Sequence, residues 1–242
     1  MGRKSNEFSL FSQTGYYCNF VPSVSPFNFI VPLIHTITIG DTTALGVWHI
    51  TEPAGEMLSL LRLSETDKAL VDTFRNEMRK KHALGCRMVL SHLLNANELP
   101  LCYDGFGKPF LENSPDHISL SHSGMVSAAI IKRDGPAGID IETIKERIER
   151  VTDRFLVKEE SMNIGADHRL EKLHVCWCSK EALYKLNGRP EVDFKNDIFI
   201  HPFDYLCSGK GTLTATMTTP EYSRVFRLCY EKLGEYMLVY TC

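Results

Sequence analysis

An α+β fold assembled from two similar halves is what this sequence predicts, on three observations. β-like alternating runs bracket helical stretches twice along the chain, with a midpoint near Gly135. Turn signals at Gly40-Asp41, Arg133-Asp134-Gly135-Pro136 and Asn187-Gly188 punctuate those runs. A chain of 242 residues, 43% hydrophobic, suits one large domain or two small fused ones with ample core.

The elements follow in order. Leu33–Ile39 and Ala44–Ile50 alternate around Gly40-Asp41 and predict a hairpin. Helical signals run from Pro53 to Leu61 and from Ser64 through Leu94, the second as more than one helix. Tyr103-Asp104-Gly105-Phe106-Gly107-Lys108-Pro109 reads as a turn. Val126–Ile131 and Ala137–Glu142 are strand-like. A charged helix is predicted from Lys145 to Phe155, and another from Asp167 to Leu186 that stops at Asn187-Gly188. From Asp197 to Tyr240 the short alternating runs predict an antiparallel meander turning at Gly209-Lys210-Gly211.

This divides the chain into a poorly structured leader (1–31), an N-terminal α+β half (32–135) and a C-terminal half (136–242). The leader lacks a basic start with a long apolar run, so no signal peptide is expected. Its Met-Gly opening lacks the Ser or Thr that myristoylation requires at position six, where Asn6 stands. Phe27 to Ile34 is too short, and too broken by Pro32, to span a bilayer. A net charge of −3 excludes a globally basic nucleic-acid binder. Eight cysteines without C-x-x-C pairing point to reduced thiols and a cytoplasmic setting.

Two stretches carry chemistry. In Gly138-Ile139-Asp140-Ile141-Glu142 the carboxylates sit two apart in a β-branched run, which points both to one strand face. In Trp177-Cys178-Ser179-Lys180-Glu181-Ala182-Leu183-Tyr184-Lys185, Glu181 and Lys185 share a helix face. Glu181 also falls on the stripe of Leu170, Leu173, Trp177 and Tyr184, where a carboxylate is costly unless paired or metal-bound. Three carboxylates and a lysine that converge suit Mg²⁺ held against phosphate oxygens. The alternatives are a surface Glu181–Lys185 ion pair and a solvated strand edge for Asp140 and Glu142.

Other segments are weaker alone. The Ser119–Gly124 run, with Ser121 and His122, offers hydroxyls and an imidazole either to phosphate or to backbone caps. Gly107-Lys108-Pro109 is a tight turn presenting one cation. Arg75, Arg79, Lys80, Lys81, His82 and Arg87 form the most basic run, a solvated helix face or a receptor for an anion or an acidic protein.

Taken together and in order, these motifs resemble the 4′-phosphopantetheinyl transferases of the larger, surfactin-synthetase-activating type. The resemblance spans Leu45 to Tyr240 and rests on Gly107-Lys108-Pro109, Ser119–Gly124, Gly138–Glu142, Arg154-Phe155 with Glu159-Glu160, and Trp177–Lys185. It implies two halves related by a pseudo-twofold axis, with the site between them. It also implies transfer of the phosphopantetheine arm of coenzyme A to a serine of an acyl or peptidyl carrier protein, releasing adenosine 3′,5′-bisphosphate. Carried over by position, Asp140, Glu142 and Glu181 bind Mg²⁺, while Ser121 and His122 hold phosphate oxygens. Lys108 and Pro109 flank the adenine end, and Arg79 and Lys81 are the nominated contacts to the 3′-phosphate. Lys185 contacts the phosphate under attack. Glu181 accepts the serine proton directly or through a water, with a metal-bound water as the competing base. A monomer suffices for a site built inside one chain. A non-catalytic coenzyme A or nucleotide binder, or a phosphohydrolase using the same cation, are the alternative functions.

Overall fold

The structure, a computed structural model, describes residues 33–96 and 98–242. The leader expected over residues 1–31 lies outside them.

The predicted hairpin is present as β1 (Leu33–Ile39) and β2 (Thr43–His49), reversing at Gly40 with φ +55°. Next come α1 (Ala54–Leu60), β3 (Arg62–Leu63), α2 (Glu65–Asp72) and α3 (Glu77–Leu94). The long helical signal divides where two caps sit. Ser64 Oγ accepts from Asp67 N at 3.2 Å to start α2, and Asn76 Oδ1 accepts from Arg79 N at 2.9 Å to start α3. After β4 (Glu98–Leu99), a small hairpin of β5 (Leu101–Tyr103) and β6 (Pro109–Leu111) carries the predicted 103–109 turn at its tip.

β7 (His117–Ser123), β8 (Val126–Lys132) and β9 (Ile139–Thr143) follow. A 3₁₀ turn (Glu146–Val151), α4 (Thr152–Phe155) and α5 (Lys158–Asn163) lead to α6 (Arg169–Asn187). The chain then runs through β10 (Ile198–Ile200), β11 (Lys210–Thr218), β12 (Ser223–Leu233) and β13 (Tyr236–Thr241).

Two segments differ from expectation. The charged segment 145–155 is a 3₁₀ turn and one short α-turn, because its signs are mixed and only Ile148, Thr152 and Phe155 are buried. The turn expected at 209–211 closes at Gly209 (φ +74°), and Gly211 already lies on β11 packed against the Tyr230 ring. The meander instead reverses between β11 and β12, where Thr219 N donates to Tyr222 O at 2.7 Å.

The strands form two main antiparallel sheets, β1-β2-β8-β7 and β10-β11-β12-β13-β9. Each backs onto one long helix. α3 packs on β8 and β2, and α6 on β13 and β9. Gly138 is required where α6 meets the second sheet, since a Cβ there would collide with the Ala182 carbonyl. Between the sheets lies a shared apolar layer, with Leu45, Val47 and Ile130 from the first and Ile139, Ile141 and Leu238 from the second.

The sheets also meet edge to edge, β7 beside β9, through side chains. Ser119, Ser121 and Ser123 present their Oγ atoms to the amides of Ile139, Ile141 and Thr143 at 3.3, 3.2 and 3.0 Å. Ser119-Leu120-Ser121-His122-Ser123 is therefore a strand in which every second residue satisfies an edge donor of the neighbouring sheet. The expected choice between a phosphate-binding run and a capping turn missed this period of two.

Cysteine usage also differs from expectation at one pair. Cys229 on β12 and Cys242 just beyond β13 are joined in a disulfide, their Cα atoms 6.0 Å apart because the paired strands bring them together. Cys86, Cys102, Cys176, Cys178 and Cys207 are free. Among the described residues no helix is long and apolar enough to cross a membrane.

Candidate functional site

The site begins with strand periodicity. Asp140 and Glu142 on β9 leave the same strand face. Asp140 is buried and Glu142 half-buried. α6 crosses behind β9 at the Gly138 contact, so the turn of helix carrying Glu181 and Lys185 comes to this face. Lys185 Nζ donates to Asp140 Oδ1 at 2.6 Å and to Ser121 Oγ at 3.0 Å. The bland reading of a Glu181–Lys185 surface pair is overturned: the lysine reaches across to the strand.

Ser121 is fully committed. Its hydroxyl donates to Asp140 Oδ1 at 2.7 Å and accepts from Ile141 N and Lys185 Nζ. One donor and two lone pairs are all a hydroxyl has. Ser121 therefore orients Asp140 and Lys185. Ser123 treats Glu142 similarly, donating to its Oε2 at 2.8 Å.

Electrostatics mark the same cluster. Burial, with the Asp140 charge adding to it, pushes the Glu181 carboxyl up to about 7. Burial and Asp140 likewise raise Glu142. Burial opposes the Lys185 charge, yet the bonded Asp140 holds that ammonium above its usual range. Three carboxylates thus face one bonded ammonium, with Arg147 acting on Glu142 as well. Asp140 Oδ2 is buried with no hydrogen-bond donor. An acceptor so placed is costly unless something electropositive reaches it. Among the described residues no group of three or more His, Cys, Asp or Glu is drawn into coordinating geometry. The orphaned oxygen and the surplus of negative charge still fit a hard divalent cation in kind.

This charge crowding has a consequence for stability. Between the ordinary Glu value of 4.5 and about 7, the folded protein keeps a Glu181 proton that the unfolded chain releases. Folding stability from this group is therefore lost as pH rises across that window. Thermal melts in chelator at pH 5 and pH 8 are expected to show a smaller drop in Glu181→Gln than in wild type. Parallel slopes in the two proteins would contradict the assignment.

Beside the cluster opens a cleft of about 430 Å³. Lys185 and His122 line the wall on the carboxylate side, and the cleft continues past Arg79, Lys108 and Pro109. His122 stacks on His82 with ring centres 4.2 Å apart, and His82 Nε2 lies 2.8 Å from Gly124 O. The His122 imidazole is solvent-exposed, yet packing against the cleft wall, then the charges of His82 and Lys185, press it down to about 4. It is neutral at pH 7. Lys108 Nζ donates to Leu186 O at 2.6 Å, so its ammonium caps the C-terminus of α6 and its stem faces the cleft.

The structure thus brings Arg79, Lys108, Pro109, His122 and Lys185 onto one cleft, with Asp140, Glu142, Glu181 and Ser121 next to it. Lys81 does not join them. Two residues along α3 rotate a side chain about 200°, and the cleft face of that helix is Arg79, Ala83, Cys86 and Arg87. Arg87 is consumed by Asp67, to which its Nε donates at 2.7 Å, and Lys80 pairs with Asp72 at 2.9 Å. Sequence reasoning missed Phe74, Tyr103, Phe106, Tyr184 and Arg189, which also line the cleft. It missed the buried Glu160–Lys180 pair too (3.0 Å), which ties α5 to α6 one residue before Glu181.

Part of this region matches a known family. Residues 136–239 match the family model described as 4′-phosphopantetheinyl transferase superfamily. The chain is 27% identical over 132 residues to 4′-phosphopantetheinyl transferase psf-1 of Bacillus pumilus, covering 50% of this chain and 56% of that one. It is 29% identical over 109 residues to 4′-phosphopantetheinyl transferase ffp of Bacillus subtilis, covering 43% and 48%. With 4′-phosphopantetheinyl transferase AcpT of Escherichia coli O157:H7 the identity is 34% over 117 residues, covering 46% and 59%. The chain therefore spans less than two thirds of the length of these relatives.

Proposed function

We propose, from the premise that the chain belongs through residues 136–239 to the 4′-phosphopantetheinyl transferase superfamily, that it moves the phosphopantetheine arm of coenzyme A onto a carrier-protein serine. The observation that carries this reading is the cluster of Asp140, Glu142, Glu181 and Lys185 beside a cleft with cationic walls. Asp140, Glu142 and Glu181 would hold Mg²⁺, the orphaned Asp140 Oδ2 being the strongest local argument. When bound, that ion would polarise the pyrophosphate and offset the charge that spreads in transfer.

The chain's own residues do the rest. Glu181 would take the serine proton directly or through a water, with a metal-bound water as the competing base. The serine oxygen then bonds to the phosphorus of the arm, and the bond to adenosine 3′,5′-bisphosphate breaks. Lys185 places an ammonium at the phosphate under attack, held in line by Asp140 and Ser121. Neutral His122 donates a hydrogen bond to phosphate oxygen without bringing a second cation close to Lys185. The Lys108 stem and Pro109 flank the adenine end, and Arg79 receives the outer phosphate.

The same reading makes residues 1–31 a leader and residues 32–135 and 136–242 two halves about a pseudo-twofold axis. The succession β2-α3-β8 in one and β9-α6-β13 in the other supports it, since in each the two strands pair and the helix backs them. Acidic carrier proteins would dock near the basic run 75–87. A cytoplasmic monomer completes the proposal, the five free cysteines among the described residues favouring that compartment and the Cys229–Cys242 bond opposing it.

Incubation with coenzyme A, Mg²⁺ and several apo carrier proteins tests it. A carrier that gains the phosphopantetheine mass is the expected result. Release of free phosphopantetheine would mark a hydrolase instead, and binding without either product a non-catalytic receptor.

A further inference from the structure

Two arginines in the cleft share an unusual setting. Arg79 lies over the Phe74 ring at 4.9 Å and Arg189 over the Phe106 ring at 4.6 Å. All four residues line the cleft. Neither arginine belongs to any ion pair among the described residues. The nearby carboxylate of Asp104 spends its Oδ1 on the amides of Phe106 and Lys108, and the Arg189 charge acts on it only at a distance. An aromatic platform holds a guanidinium in place without neutralising it. Such a group keeps its planar fork of donors for an incoming anion.

Arg189 is the less expected of the two. It follows the Gly188 cap of α6, on the far half of the chain from Phe106. Lys108 reaches the same helix end through Leu186 O, so the β5–β6 turn and the α6 terminus are clasped at two points. We propose that Arg189, laid on Phe106, is a second phosphate-binding residue of this cleft and, with Arg79, receives a phosphomonoester at the end of the ligand remote from Lys185. The ligand class this defines carries two separate phosphate groups, one at Lys185 and one between the arginines. The inference rests on the coenzyme A reading above and assigns its 3′-phosphate.

Calorimetry with coenzyme A and 3′-dephospho-coenzyme A separates the two claims. Arg189→Gln is expected to weaken coenzyme A binding about tenfold, the scale of one charge-assisted hydrogen bond, and to leave the dephospho ligand within about twofold of wild type. Arg189→Lys, which keeps charge but loses the stacked fork, should fall between. Equal weakening for both ligands, or for neither, overturns the assignment. The coenzyme A reading itself fails separately, if wild-type protein binds neither ligand. Arg189 is exposed, and a melting temperature matching wild type shows that the variants are folded.

Discussion

Glu181→Gln is expected to lower carrier modification by a factor of about 10²–10⁴, the contribution of a positioned general base. The amide is nearly isosteric and cannot accept the serine proton. It also removes one of three carboxylates around the proposed Mg²⁺ position. Folding should not suffer, because burial, and then the like charges of Asp140 and Glu142, already push the Glu181 carboxyl up to about 7. Loss of one of those charges relieves repulsion. The expected signature is therefore a stable, inactive protein that still binds coenzyme A. The mass-shift assay on an apo carrier, with melting temperature alongside, checks both parts, and retained activity would sink the assignment.

Asp140→Ala has the second large effect, and a different signature. Asp140 accepts from Lys185 Nζ at 2.6 Å and from Ser121 Oγ at 2.7 Å, and its other oxygen is the orphan that the proposed cation would meet. Truncation leaves a largely buried ammonium without its partner, a change that destabilises. Transfer should be lost at ordinary magnesium, by more than the roughly 10–100-fold that losing an outer-shell partner costs a metal site. Any residual turnover should require a raised magnesium concentration. Asp140→Asn keeps the shape and isolates the charge. A magnesium titration of turnover that superimposes on wild type would contradict ligation.

How much of this was legible beforehand depended on where each signal resides. The carboxylate strand and the helix of Glu181 could be read because periods of two and of 3.6 residues are local properties. The helix stop at Asn187-Gly188 was equally local and is found there, Gly188 having φ +65°. Lys185 was assigned to the site, but its Asp140 partner was not foreseen in detail, since only tertiary packing at Gly138 decides how closely helix and strand approach. The nomination of both Arg79 and Lys81 ignored helical rotation, which sends them to different sides. Arg189 and Phe106 carry no motif. Each is an ordinary surface residue until the fold lays one on the other. The buried Lys180 was hidden for a related reason: a lysine on a polar-looking stretch reads as exposed, and only Glu160 explains its presence in the core.

The seam of alternate hydroxyls between the two sheets sets a coarse ruler. With acceptors only at every second position of β7, the neighbouring edge engages fully in one alignment. The next alignment that again offers hydroxyls is a shift of about 7 Å, and a shift of half that size puts Leu120 and His122 opposite the amides. Small slippage between the two sheets thus costs these amides their acceptors. The carboxylates on one side of the seam and the imidazole on the other inherit a fixed spacing before any ligand arrives.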